Sequence, residues 1–168
     1  MRPAAELTDE AEALKRYAIT ITRDMSEAED LVQDCMERAL RKWSLRKADV
    51  PLRPWLFRMM RNLHVSRWRK MRRHRYNVSI DDTIIDPALP ARQEGHVDLN
   101  NLLVRVMALP DDQRAALVLV SIEGFTYSEA GKVLGVPEGT IMSRVSRARA
   151  RLRDTPHPVS RPKLRTVK

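Results

Sequence analysis

Apolar side chains recur every three or four residues along most of this chain, the spacing that gathers them on one face of a helix. From Leu7 to Arg23 that face carries Ala11, Leu14, Tyr17, Ala18 and Ile21, and Thr8 is placed to cap the helix start. Ser26-Glu27-Ala28-Glu29 has the form of a capping box, and behind it Ala28, Leu31, Val32, Cys35, Ala39 and Trp43 make the stripe of a second helix. Its other face is mixed and charged: Glu29, Asp30, Gln33, Asp34, Glu37, Arg38 and Arg41. Pro51 and Pro54 oppose helix, which predicts a loop over Ser44 to Pro54. A third helix follows over Arg53 to Arg75, with Leu56, Met59, Met60 and Leu63 inward.

The second half has the same period. Leu99, Leu102, Leu103, Val106 and Met107 form a short amphipathic run ending at Pro110. Asp111 or Asp112 can cap the next helix, in which Ala115, Ala116, Leu119 and Ile122 face inward and Glu123-Gly124 stops the run. Tyr127, Ala130, Val133 and Leu134 recur at helical spacing up to Gly135, which can take the left-handed conformation that ends a helix, and Pro137 suits the first turn of another. In that last helix Ile141, Val145, Ala148 and Leu152 share one stripe. No segment of useful length has strand period. The pattern predicts an all-α fold of two small helical modules, over residues 7–75 and 99–153. A flexible acidic linker over 76–98 joins them, and a disordered basic tail over 154–168 follows.

Charge sharpens this picture. With 31 Lys and Arg against 22 Asp and Glu the chain carries +9, which favours a polyanionic partner, nucleic acid before membrane. The excess is localised: Arg53 to Arg75 holds nine basic residues and no acid, and Thr140 to Arg153 holds no acid either. The linker, by contrast, has five acids against the single base Arg92. A basic helix bearing Trp55 and Trp68 can hold a phosphate backbone and stack on unpaired bases, although Trp55 sits equally well in a core. The two helices around Gly135 have the form of a helix-turn-helix. Beside the apolar stripe of the second helix run Thr140, Ser143, Arg144, Ser146, Arg147, Arg149 and Arg151. Small polar groups come first and guanidinium groups after, an order that suits entry into a major groove by the helix N-terminus. A solvated basic face is the plain alternative.

Other chemistry finds little support. Cys35 is the sole cysteine, in an apolar register, so no disulfide within the chain or Cys-based metal site can form. The four histidines lack ligand spacing, and no Ser/His/Asp grouping, glycine-rich phosphate loop or carboxylate pair argues for an enzyme. No cofactor is expected. Met1 to Glu12 has acids where a signal peptide wants a basic and then an apolar segment, and no apolar run reaches spanning length, so a cytoplasmic chain without membrane insertion is expected.

Two separated stretches resemble the small extracytoplasmic-function group of bacterial RNA polymerase sigma factors. Ala28 to Asp34 together with Trp55-Leu56-Phe57-Arg58-Met59-Met60-Arg61-Asn62-Leu63 looks like region two. Leu109-Pro110, Tyr127-Ser128-Glu129, Leu134 to Ile141 and Ser143 to Arg149 look like region four. Two departures stand out: Met142 where lysine is common, and Gly131 where alanine is common.

The resemblance implies roles that spacing does not. It assigns Glu29, Asp30, Leu31, Gln33, Asp34 and Glu37 to core RNA polymerase. It places Arg53, Trp55, Arg58, Arg61, Asn62, Arg67, Trp68, Arg69 and Arg72 at the minus-10 element of promoter DNA. It gives Glu138, Gly139, Thr140, Ser143, Arg144, Ser146, Arg147, Arg149 and Arg151 to the minus-35 element. Linker acids Asp81, Asp82 and Asp86 would stand in for RNA phosphates inside the polymerase, and an anti-sigma factor is a further implied partner. The alternative from residues alone is a dimeric helix-turn-helix regulator acting without core polymerase.

Overall fold

The computed structural model describes residues 3–47, 49–77 and 97–154. Seven α-helices and no strand are found among them: α1 Pro3–Thr22, α2 Met25–Arg41, α3 Leu52–Asn77, α4 Val97–Met107, α5 Asp111–Ser121, α6 Tyr127–Leu134 and α7 Glu138–Asp154. A 3-10 turn, Trp43–Leu45, follows α2. The all-α expectation is met. The acidic linker residues Asp81, Asp82 and Asp86 and the tail beyond Asp154 lie outside the described residues.

Periodicity located the helices better than their ends. Ser26 does not cap α2; Asp24 does, its carboxylate accepting from the Glu27 amide at 2.8 Å. Thr8 is no cap either, because α1 begins earlier and the Thr8 hydroxyl donates to the Ala4 carbonyl one turn back. Pro54 does not break α3: it lies in the first turn, where its missing N–H has no helical partner to lose. Nor does Asp111 or Asp112 cap α5, which Pro110 precedes without a side-chain cap. Both acids sit in the first turn, where the helix dipole favours negative charge.

The N-terminal helices α1, α2 and α3 pack on one another through Leu14, Tyr17, Ala18, Ala28, Leu31, Cys35, Leu56, Phe57 and Met60, all without solvent exposure. Burial holds the Cys35 thiol in its neutral form, its pKa pushed up to about 12, and the thiol donates to the Leu56 carbonyl. In the C-terminal half α5, α6 and α7 close around Leu119, Ala130, Val133, Ile141, Val145 and Ala148. Three residues expected inside are outside: Leu102, Leu103 and Ile122 are about half exposed, as is Val104.

The two halves are not independent. α1 packs against α5 and α3 against α6, so one continuous core runs through both. Phe57 of α3 joins Tyr17 of α1 to Phe125 of the α5–α6 corner, with ring centroids 5.2 and 4.9 Å apart. Arg114, 1 % exposed, ties the end of α1 to α5 by donating to the carbonyls of Thr20 and Leu109 and to the Asp111 carboxylate. Burial alone would raise the Asp111 carboxyl, but the hydrogen bond and charge of Arg114, joined by Arg23, bring it below its ordinary value. Arg23 adopts φ 61°, the left-handed conformation that ends α1, and its guanidinium reaches Asp111 at 2.8 Å.

The corner between α6 and α7 is specified chemically at both ends. Thr126 and Glu129 form a reciprocal capping box at the start of α6. At its end Gly135 sits at φ 66°, and the Val136 amide returns to the Gly131 carbonyl at 3.0 Å. Gly131 is the second constraint, because a Cβ there would lie 2.8 Å from the Val136 carbonyl oxygen, and that oxygen belongs to backbone. Gly131→Ala is therefore expected to lower stability by about 1–2 kcal/mol, the crowding outweighing the better helix propensity of alanine. Urea unfolding checks this; a more stable variant would mean that the corner relaxes freely.

Candidate polymerase and nucleic-acid interfaces

Because α2 buries every third or fourth residue against α1 and α3, its opposite face is presented to solvent. Glu29, Asp30, Gln33, Asp34 and Glu37 all lie there, exposed. Leu31 does not: it is wholly buried, and its side chain supports this face without reaching a partner. Three of the acids have ion-pair partners, Glu29 with Lys15 at 2.9 Å, Glu37 with Arg41 at 3.0 Å, and Asp34 with Arg67. Exposed pairs of this kind are weak and screened by salt, so they leave the acids available.

The outward side of α3 is the basic ridge that its composition foretold. Arg58, Asn62, Trp68, Arg69 and Arg72 are exposed on it, and the Arg72 guanidinium lies over the Trp68 ring at 5.2 Å. Between α2 and α3 lies a groove of about 410 Å³, lined by Arg38, Lys42, Trp55, Arg58, Met59, Asn62, Leu63 and Ser66. It combines an aromatic wall with cations and an amide, the set that can hold an unstacked base and its phosphate. Trp55 is partly buried, so it serves core and groove at once. Arg38 and Lys42 were missed as members of this site. Their i, i+4 spacing on the flank of α2 is the signal, legible only once α3 is known to lie beside that flank.

Two arginines of the ridge are otherwise engaged. Arg67 turns back to Asp34 on α2. Arg53 points away from the ridge altogether, donating to Glu10 at 2.8 Å and to Glu123 at 2.6 Å.

On α7 the buried stripe Ile141, Val145 and Ala148 fixes the rotation of the helix, which leaves Glu138, Gly139, Ser146, Arg147, Arg149 and Arg151 exposed and Thr140, Ser143 and Arg144 half-buried. The arginines are not equivalent. Arg144 pairs with Asp112 of α5 at 3.2 Å, and Arg149 donates to the Ser121 hydroxyl at 3.2 Å, whereas Arg147 stands outward. Ser143 donates to the Thr140 carbonyl at 3.0 Å, so its oxygen remains free to accept. Met142 is half exposed beside them.

These surfaces belong to a fold that others share. Residues 8–74 match the family model described as Sigma-70 region 2, and residues 99–152 the model described as Sigma-70, region 4. The chain is 37 % identical over 142 residues to the ECF RNA polymerase sigma factor EcfG of Rhodopseudomonas palustris, a span covering 83 % of this chain and 77 % of that protein. Over 139 residues it is 34 % identical to the ECF RNA polymerase sigma factor SigM of Mycobacterium tuberculosis, covering 83 % of this chain and 69 % of the relative. Among solved structures, the sigma factor RpoE in complex with the anti-sigma factor NepR, from Bartonella quintana, superposes with a TM-score of 0.74. It is 36 % identical, with 89 % of this chain and 93 % of that one covered. CnrH in complex with the cytosolic domain of CnrY gives a TM-score of 0.64 at 24 % identity, with 90 % of this chain and 84 % of that one covered, a likeness of fold. With sigma regions two and four in order, and relatives this similar over most of its length, the chain belongs to the extracytoplasmic-function RNA polymerase sigma factors of the sigma-70 family.

Proposed function

We propose that this sigma factor docks on core RNA polymerase through the outward face of α2, holds the minus-10 element on the α3 ridge and its groove, and reads the minus-35 element with α7. The observation that carries this is the segregation of charge: acids stand outward on α2, while the basic ridge of α3 and the acid-free stretch of α7 from Thr140 to Arg153 stand outward elsewhere on the same chain. A protein that must join a protein partner and a polyanion needs two such faces kept apart. The domains follow as region two over 7–75 and region four over 99–153. A dimeric regulator acting without polymerase is not favoured, since the whole N-terminal half is then unexplained. The chain acts as a binding factor in the cytoplasm and leaves the chemistry of RNA synthesis to the polymerase; no described helix is long and apolar enough to cross a membrane. An anti-sigma factor is a further partner, as one is for the similar RpoE.

Promoter-dependent run-off transcription with purified core polymerase tests this directly, and no stimulation by the folded chain would overturn it. Within that assay the docking face has its own check. Asp30 is exposed on α2, so Asp30→Arg should keep the helical signal while lowering affinity for core polymerase about tenfold, the equivalent of ~1.4 kcal/mol at a charged contact. Undiminished competition for core by this variant would move the docking site elsewhere.

On α7 the engagement of the arginines predicts an order. An arginine on phosphate contributes a log-log salt slope of about −0.9, so Arg147→Ala should flatten the slope for minus-35 duplex by about that amount. Arg144→Ala should flatten it less, because its guanidinium is already held by Asp112 at 3.2 Å. Binding titrations of the full chain over a salt series measure both; equal slopes for Arg147→Ala and the parent would make this arginine stripe a solvated face.

A further inference from the structure

We infer that the Glu123 carboxylate is a latch that holds the free chain closed, in a form that cannot span a promoter, and that release of this latch accompanies docking on core polymerase. Glu123 follows α5 and belongs to the C-terminal module, yet its side chain has no solvent exposure and its cationic partners all come from the N-terminal one. Arg16 of α1 grips it with two nitrogens, at 3.0 and 3.1 Å, and Arg53 of α3 donates to its carboxylate at 2.6 Å and to its carbonyl at 3.2 Å. The Arg53 guanidinium also lies over Phe57 at 5.4 Å and Phe125 at 5.7 Å, one ring from each module.

Geometry says why this form must open. This step rests on the reading that α3 and α7 meet the two promoter elements. The minus-10 and minus-35 elements are about 25 base pairs apart, or about 85 Å along straight B-form DNA at roughly 3.4 Å per base pair. In the closed chain α3 packs directly on α6, and α6 on α7. Three stacked helices place the outer faces of α3 and α7 on the order of 30 Å apart, which is far too close. The closure leaves most of both basic faces exposed, although Arg58 and Glu138 line one cleft between α3 and the α6–α7 corner. It hinders by spacing.

The chemistry of the latch makes it releasable. A buried ion pair has already lost its hydration, so against water its net contribution is small, and opening returns that hydration to Glu123 and Arg16. What opposes opening is the exposure of Phe57 and Phe125, which a protein partner can re-cover and water cannot. Arg53 gains a second role on release: it keeps Glu10, but the nitrogen held by Glu123 becomes available for phosphate, where the family resemblance places it. One guanidinium thus belongs to the lock in one state and to the nucleic-acid surface in the other.

Small-angle scattering of the full chain, followed by titration with core polymerase, tests the latch. Glu123→Gln removes the charge and keeps the shape. Arg16→Gln alters a side chain that is 52 % exposed and leaves the core packing untouched, so it remains informative if the buried substitution unfolds the protein. Both variants should keep the parental helical signal, show a larger radius of gyration, and bind core polymerase about tenfold more tightly, because apparent Kd falls as the competent fraction rises. Parental dimensions in both variants would overturn the latch, and so would expansion without tighter binding. The scattering arm uses no polymerase, so a parent chain that fails in run-off transcription would sink the promoter reading while closure is still decided.

Discussion

A carboxylate removed from water has to be neutralised where it lies, and in this chain that requirement falls on Glu123. Its two arginine partners arrive from separate helices, α1 and α3, and from the far side of the sequence, 107 and 70 residues away. Removing one partner from such a site leaves the buried carboxylate only half compensated in the closed form, whereas separating the modules rehydrates every member. The constraint is therefore strict within the closed form and weak between closed and open forms. The position of the α5–α6 corner, and through it the helix-turn-helix, hangs on this contact and on the rings of Phe57 and Phe125 beside it.

Helical period was enough to place all seven helices and most of the core, because a residue's face on a helix is a local property. It also exposed the helix-turn-helix: Gly135 and the stripe of Ile141, Val145 and Ala148 are where their spacing put them. What period does not encode is which neighbour a face meets. Leu102, Leu103 and Ile122 were expected inside on spacing alone and lie half exposed. Caps failed for a different reason, since both α1 and α2 start earlier than their polar signals, and Asp24 was available two residues before Ser26.

Polar residues at the seam were the hardest to foresee. Glu123 looked like part of a helix stop, and Arg114 drew no expectation, because polar side chains near helix ends are usually solvated. Each is buried only through partners remote in sequence: Arg16 and Arg53 for Glu123, the Thr20 carbonyl for Arg114. The expectation of two modules on a tether was right in the count of modules and silent on their contact. Of the candidate site residues, the exposed setting of most was legible from composition and helical period. Leu31 and Arg53 had other surroundings, one in the core and one at the seam.

Net charge gives the seam its purpose. Two basic modules on a chain of +9 repel each other, and repulsion between exposed charges is screened within about 10 Å at ordinary ionic strength. Closure therefore requires acids at the boundary, and Asp111 and Glu123 of the C-terminal module supply them, facing Arg23, Arg16 and Arg53 of the N-terminal one. These contacts differ in how they answer to salt. Asp111 is 81 % exposed, so its pair with Arg23 weakens as salt rises, while Glu123 lies beyond the reach of counter-ions. Screening thus relieves the repulsion and weakens the Arg23–Asp111 pair at once, while the buried Glu123 carboxylate is largely spared. On the latch reading, opening comes from a partner that takes over the apolar seam or competes for the arginines.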